Sequence, residues 1–377
     1  MTARRACQPD PGNPMRRHLL DPSDLDADLL ALWKQFCDGN SLYHSPFYRP
    51  QFTQAVALAR PDARVAVLEE RGDVVGFFPF HLTRSGTGKP IGGHINDYHG
   101  PILAPGVEPS AHALLQAAGI SAYDYNHLPA AFTALTAGAH TFSISPQMDL
   151  SDGFEAYLAR KGSQWWGKVK REVRRRKRKA EDAFGPVRFV FHDPSDRAYS
   201  VHVAMKNTQY ERMGLRATMG DGWAGKVLET LRHMQEPDFA GIMSTLYAGD
   251  RLIAGHVGLR SATVLHWWFP SYDLSLSKLG PGISLIHECM LSMREHGLAI
   301  VDFGKGDEDF KMYFADRHEK LCEGSISHAG SMAATLRQGT DALVGFAERL
   351  PLGRFKTYPR RAVARLISGV NLPEEVG

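Results

Sequence analysis

Cysteine is scarce and unpatterned in this chain. Among 377 residues there are four, Cys7, Cys37, Cys289 and Cys322, with no CxxC pair and no metal-binding spacing. That excludes a disulfide scaffold, leaves no metal to expect, and reads as the usage of a reduced, cytoplasmic protein. No uninterrupted apolar run reaches membrane-spanning length, so no transmembrane segment is expected. A secretory signal is missing too: Arg4, Arg5, Arg16 and Arg17 are followed only by Leu19 and Leu20 before Asp21, Asp24, Asp26 and Asp28 begin. Residues 1–20, rich in Pro, Arg and Asp, read as a disordered lead-in. Net charge is small, +3, yet the basic residues are clustered, so charged partners must be judged locally.

With 43% hydrophobic residues the chain can bury one large core or two moderate ones. Leu25–Phe36 has helical periodicity and Pro50–Leu58 reads as a helix with proline in its first turn. Ala63–Leu82 reads as a hairpin turning at Arg71-Gly72-Asp73. A Gly-rich loop, Ile91–Leu103, then holds Asn96, Asp97, Tyr98 and His99. A helix over Pro109–Ala118 and a strand over Ala122–Leu128 follow.

The same order then returns. After a basic stretch come a strand (GPVRFVFH), helices over Ser195–Arg212 and Asp221–Met234, and a hairpin over Gly241–Arg260. Next come a strand (TVLHWWF), a glycine loop ending LGPG, a buried helix (ISLIHECMLSMREHG) and a strand (AIVDFG). Gly76 to Asp124 is 48 positions, and Gly255 to Asp302 is 47. Matching order, turn chemistry and spacing argue for a duplicated α/β (α+β) unit. The predicted boundaries are 21–150 for a degenerate first unit and 151–330 for a second unit that includes a basic helix over 163–185. Residues 331–377 then form a loosely ordered tail.

The loop into LGPG delivers unpaired backbone N–H groups to a helix start, where the helix dipole favours an anion. Gly280 to Gly282, with Lys278 nearby, therefore make a candidate phosphate cradle, although a tight turn alone would use the same glycines. The basic run Lys168–Lys179 has Glu172 as its single acid, and its charges cover nearly the whole circumference of a helix. Such a helix is not expected to be buried, and it reads either as a solvated face or as a polyanion contact. Trp165 and Trp166, just ahead of it, read as packing anchors.

The succession DGFEAYLARKGSQWWGKVKREVRRRKRKAE, AGDRLIAGH, LHWWFPSYDLSLSKLGPG and VDFGKGDEDFKMYFAD resembles the CelD/BcsL-type acyltransferases. These are members of the GNAT N-acetyltransferase superfamily found beside bacterial cellulose and exopolysaccharide biosynthesis genes. The resemblance spans about Leu29 to Gly330. It implies a tandem GNAT fold like that of the Fem peptidyltransferases, with acetyl-CoA as acyl donor in the second copy. In that superfamily the donor pyrophosphate sits on [RQ]xxGx[GA]; here Ser277-Lys278-Leu279-Gly280-Pro281-Gly282 keeps the glycines and departs at the first position.

Transfer to an amine needs a base for the ammonium proton, an oxyanion donor and an acid for the thiolate. Asp302, Asp307 and Glu308, clustered where the last strand ends, are candidate bases, and the last two are equally suited to capping a helix. Tyr313 and Tyr272 are candidate acids. His256, Trp268, Lys305 and Lys311 are candidate substrate contacts, as are Asp97 and Tyr98 on an acceptor-recognition loop. The function so implied is acyl transfer to an amine on a small or sugar-linked acceptor. An aminoacyl-tRNA-dependent Fem-like transferase and a non-enzymatic polyanion-binding module are the alternatives.

Overall fold

The computed structural model describes residues 16–215 and 217–328. Cys7, most of the predicted lead-in and the predicted 331–377 tail lie outside the described residues. The lead-in is not wholly irregular, because Arg16–Leu20 is a strand, β1. Helices α1 (Ala27–Asp38) and α2 (Pro50–Ala59) follow. Next come β2 (Ala63–Glu70), β3 (Asp73–Leu82), β4 (Thr87–Pro90), β5 (Ile102–Leu103), α3 (Ala111–Ala118), β6 (Ala122–Pro129) and α4 (Thr133–Thr136). β7 (Ala139–Asp149) leads to α5 (Phe154–Lys161), α6 (Ser163–Phe184), β8 (Val187–Val190), α7 (Asp196–Arg212) and α8 (Trp223–Arg232). The described chain closes with β9 (Gln235–Glu236), β10 (Phe239–Ala248), β11 (Arg251–Ser261), β12 (Val264–Tyr272), α9 (Pro281–Ser292), β13 (Ile300–Asp302), α10 (Asp309–Phe314) and β14 (Arg317–Ser327).

Two compact units result. Among the described residues, one gathers 16–29, 61–141 and 322–328; the other gathers 30–60 and 142–321. The division departs from the boundaries read off the sequence, since 30–60 joins the second unit. In the first, β1, β2, β3 and β4 pair antiparallel in that order and β4 pairs parallel with β6. In the second, β8, β10, β11 and β12 pair antiparallel in that order and β12 pairs parallel with β13. The same mixed sheet is therefore built twice. A short helix bridges the parallel pair each time, α3 in one unit and α9 in the other, as a parallel connection requires.

Local chemistry explains the elements. Arg71 and Gly72 both take positive φ, 57° and 92°, at the first hairpin turn, which matches the strand twist. Ser195 caps α7, its Oγ accepting from Ala198 N at 3.2 Å. Pro281 opens α9 at its first position, where its missing N–H costs nothing. The core of the second unit packs Leu265, Trp267 and Val301 of the sheet against Leu285, Ile286 and Met290 of α9.

The basic helix α6 differs from expectation. Val169, Val173 and Ala180 are buried, so a narrow apolar stripe docks it on the core while Arg174, Arg175, Lys177 and Arg178 face solvent. Charge count misleads here: three small apolar residues at helical spacing are enough to bury one side.

Candidate functional site

Two parallel strands part company in the second unit. β12 and β13 pair at Val264↔Ile300, Leu265↔Val301 and His266↔Asp302, and there the pairing stops. β12 runs on to Tyr272, still held by β11, whereas β13 ends and turns through Gly304 and Gly306, both at positive φ. Past His266, among the described residues, β13 no longer pairs with that edge of β12, so a ligand can approach its backbone. The register between β11 and β12 also shifts between Val257 and Leu259, a bulge at Gly258. A side chain at Gly258 would strike His256 and the His266 carbonyl.

Asp302 stands at the point of the fork. It is 1% exposed and accepts from Ser145 Oγ at 2.6 Å, Gln147 Nε2 at 2.7 Å and Gly304 N at 2.9 Å. His266 Nδ1 lies 3.5 Å away, and its ring packs edge-on against Phe47 at 4.8 Å between centroids. A carboxylate so fully engaged orients its neighbours more than it meets a substrate.

Two further histidines are buried beside the fork. His256 stacks on Trp267 at 3.9 Å, and its Nε2 is 3.3 Å from His266 O. His202, on α7, bonds Ser271 Oγ through Nδ1 at 3.0 Å; burial, then the Lys206 charge, pushes its pKa down to about 3. Burial also holds the His256 pKa well below the ordinary value. Lys206, one turn after His202, donates to Pro270 O at 2.9 Å. On β14, Glu319 has its carboxyl pushed up by burial first and then by the charge of Asp302. Periodicity gave no signal for His202, Lys206 or Glu319.

The acids after β13 are dispersed. Asp307 and Glu308 are exposed. Glu308 precedes α10 without a side-chain cap bond and pairs instead with Lys311 Nζ at 2.9 Å. Lys311 is buried and also donates to Lys305 O at 2.7 Å and Gly304 O at 3.3 Å. Tyr313 is half-buried against Trp165, ring centroids 5.8 Å apart, and burial raises its pKa. Trp166 stacks on His287 at 5.2 Å, so both tryptophans serve as packing residues.

The glycine loop follows β12 directly. Asp273 caps a tight 3-10 turn over Leu274–Leu279, and Gly280 then takes φ 52°, a left-handed value that admits few other residues. Lys278 is exposed. The cation that reaches the loop is Arg176 of α6: its guanidinium donates to Gly280 O at 3.3 Å and to Glu172 at 2.6 Å. At Gly282 an added Cβ would find only Tyr272, at 3.6 Å, so the backbone there is open to close approach.

On the α8 side, Trp268 joins Leu228, Leu231, Met243, Val257 and Leu259 round a cavity of about 140 Å³. Asp97 and Tyr98 belong to the first unit. Asn96 bonds Ile91 O and accepts from Tyr98 N, both at 2.8 Å, so this segment is a self-bonded turn, with His127 3.8 Å from Asp97.

Parting strands, a bulge and a glycine-led helix can together admit a thioester and its phosphates. Residues 167–312 match the profile of a family described as Acetyltransferase (GNAT) domain. That stretch is an acyltransferase domain. No curated protein sequence matches the chain. Among solved structures, FemX is 11% identical over 82% of this chain and 97% of its own, with a TM-score of 0.54. The C-terminal domain of a protein described as a lysylphosphatidylglycerol synthetase, from Agrobacterium fabrum, is 12% identical over 83% and 97%, with a TM-score of 0.50. A tandem GNAT protein from the clavulanic acid biosynthesis pathway is 11% identical over 84% and 99%, with a TM-score of 0.46. At such identities the likeness is one of fold, and the fold is tandem GNAT.

Proposed function

We propose that the chain transfers an acetyl group from acetyl-CoA to an amine on a small or sugar-linked acceptor. The supporting observation is the separation of β12 from β13 immediately before the glycine-led α9. The first-turn N–H groups of α9 at Gly282 and Ile283 lack acceptors within the helix and suit the donor phosphates, with Arg176 in place of the missing loop arginine. The open edge of β12 can polarise the thioester carbonyl through backbone N–H groups. A bound acyl-CoA supplies the activated acyl group.

For the ammonium proton we name Glu319 beside Asp307 and Glu308, since burial, and then the charge of Asp302, pushes its carboxyl up. Asp302 then orients His266, and Tyr313 remains the phenol for the leaving thiolate. The cavity walled by Trp268 suits the apolar part of an acceptor. From the sequence resemblance to the CelD/BcsL type we infer an acceptor in cellulose, exopolysaccharide or envelope synthesis and an enzyme acting in the cytoplasm.

The solvent face of α6 favours a second reading, an aminoacyl-tRNA donor, because its arginines and lysines can track a phosphate backbone. One set of calorimetric titrations separates the two. Acetyl-CoA and free CoA are expected to bind the parent, and Gly282→Asp to abolish both by blocking the backbone and adding a repelling charge. Salt-sensitive binding of RNA with none of CoA would replace the first reading by the second. A folded Gly282→Asp protein that binds CoA like the parent would place the donor elsewhere.

A further inference from the structure

Two lysines end on backbone carbonyls on either side of the opening between β12 and β13. Lys206 comes from α7, on the face that also sets His202 against Ser271, and its Nζ donates to Pro270 O at 2.9 Å. Pro270 lies beyond the last paired residue of β12, His266. Lys311 comes from α10 and donates to Gly304 O and Lys305 O, which lie beyond the last paired residue of β13, Asp302. The two ammonium groups lie close enough for the charge of Lys311 to bear on Lys206.

Their charges are unevenly balanced. Lys311 has Glu308 at 2.9 Å. Lys206 has no carboxylate within ion-pair distance among the described residues; Tyr210 lies with its ring 5.0 Å from the ammonium. The titratable groups against Lys206 are Lys311, His202, His256 and Tyr210, none of which brings a carboxylate. Burial, reinforced by the charge of Lys311, pushes the Lys206 pKa down to about 8. Lys206 is thus a partly desolvated cation that no carboxylate pairs directly. Such a site is relieved by an incoming anion.

We propose that Lys206 and Lys311 together bind a carboxylate carried by the substrate, at the opening between β12 and β13. The inference rests on the acyl-transfer reading and gives it a substrate class. The carboxylate belongs either to the acceptor, as in an amino acid, or to the acyl group, as in the half-thioester of a dicarboxylic acid. Lys206 bonds it directly, and Lys311, whose three N–H groups already engage Glu308, Gly304 O and Lys305 O, contributes its charge.

Matched probes test this by calorimetry on the full chain. With CoA saturating, N-acetylglycine is compared with N-acetylglycinamide; without it, succinyl-CoA is compared with acetyl-CoA. In at least one pair the carboxylate member should bind about 10-fold or more tighter, the usual value of one charged hydrogen bond. Lys206→Met should reduce that ratio to near one and leave acetyl-CoA binding unchanged, while Lys206→Arg retains most of it. In the parent the ratio should also fall as pH rises past about 8, where Lys206 loses its charge. That readout stands even if Lys206→Met does not fold. The pair that shows the preference identifies the source. Equal binding within both pairs, or a preference that survives Lys206→Met or does not decline with pH, overturns the proposal. Failure of the parent to bind any CoA would instead strike the acyl-transfer reading, and the proposal with it.

Discussion

Lys206 shows how far a single residue can be from legible. On α7 it is one cation in a helix with no marked apolar face, and only the register of β12 reveals what it touches. Its depressed pKa makes a prediction about stability. Between about pH 8 and its ordinary value of 10.5, the unfolded chain holds a proton that the folded chain has released. Stability should therefore rise with pH through that window, and the full cost should be present below it. Lys206→Met should raise the unfolding free energy near pH 7 by on the order of 1–3 kcal/mol and flatten its pH dependence above pH 8. Chemical denaturation at several pH values measures both. Equal pH slopes for parent and variant would show that Lys206 is solvated. That Asp302 closes a strand and Lys311 lies in the helix after it was legible, because strand ends and a following helix are local signals. Arg176 was invisible as a partner of Gly280, since nothing in a run of nine cations tells which one turns inward.

Elements were more legible than contacts. Both hairpins, α7 and α9 are announced by turn residues, caps and periodicity, all of which act within a few residues. The parting of β12 and β13 was not announced, because the end of pairing depends on two segments separated by a helix. Helix α6 was misjudged for a related reason: its apolar stripe is too narrow to compete with its charges in a local count. Replacing Arg174, Arg175, Lys177 and Arg178 with Gln should leave the thermal midpoint nearly unchanged, since exposed charges contribute little. Val173→Asp should cost about 2–4 kcal/mol, because it buries an unpaired carboxyl against the core. Urea titrations of the two variants test whether the stripe or the charge holds the helix in place. Loss of stability in the first and not the second would reverse the assignment.

At the scale of the whole molecule the duplication was readable, since each copy repeats the same order of elements and the same turn chemistry. Gly76 and Gly255, aligned by sequence, prove to be close approaches in both copies. A Cβ at Gly76 would lie 2.9 Å from Ile102 O, and one at Gly255 would lie 2.7 Å from His202 Nδ1. Gly76→Ala and Gly255→Ala should each destabilise by about 1–3 kcal/mol through overpacking, which thermal unfolding can check. A neutral result at either position would mean that the neighbour moves aside freely. The membership of the two units was not readable, because residues 30–60 sit among first-copy elements in the chain and pack in the second unit.

That crossing has a consequence for synthesis. Phe47 and Phe52 leave the ribosome early, yet the ring they meet, Trp268, is made only after most of the chain has emerged. Until then α2 has no sheet to cover, and its buried face is open to wrong partners. The second unit is therefore begun before most of the first and finished after most of it, and a nascent chain halted between the two must be shielded by something other than itself.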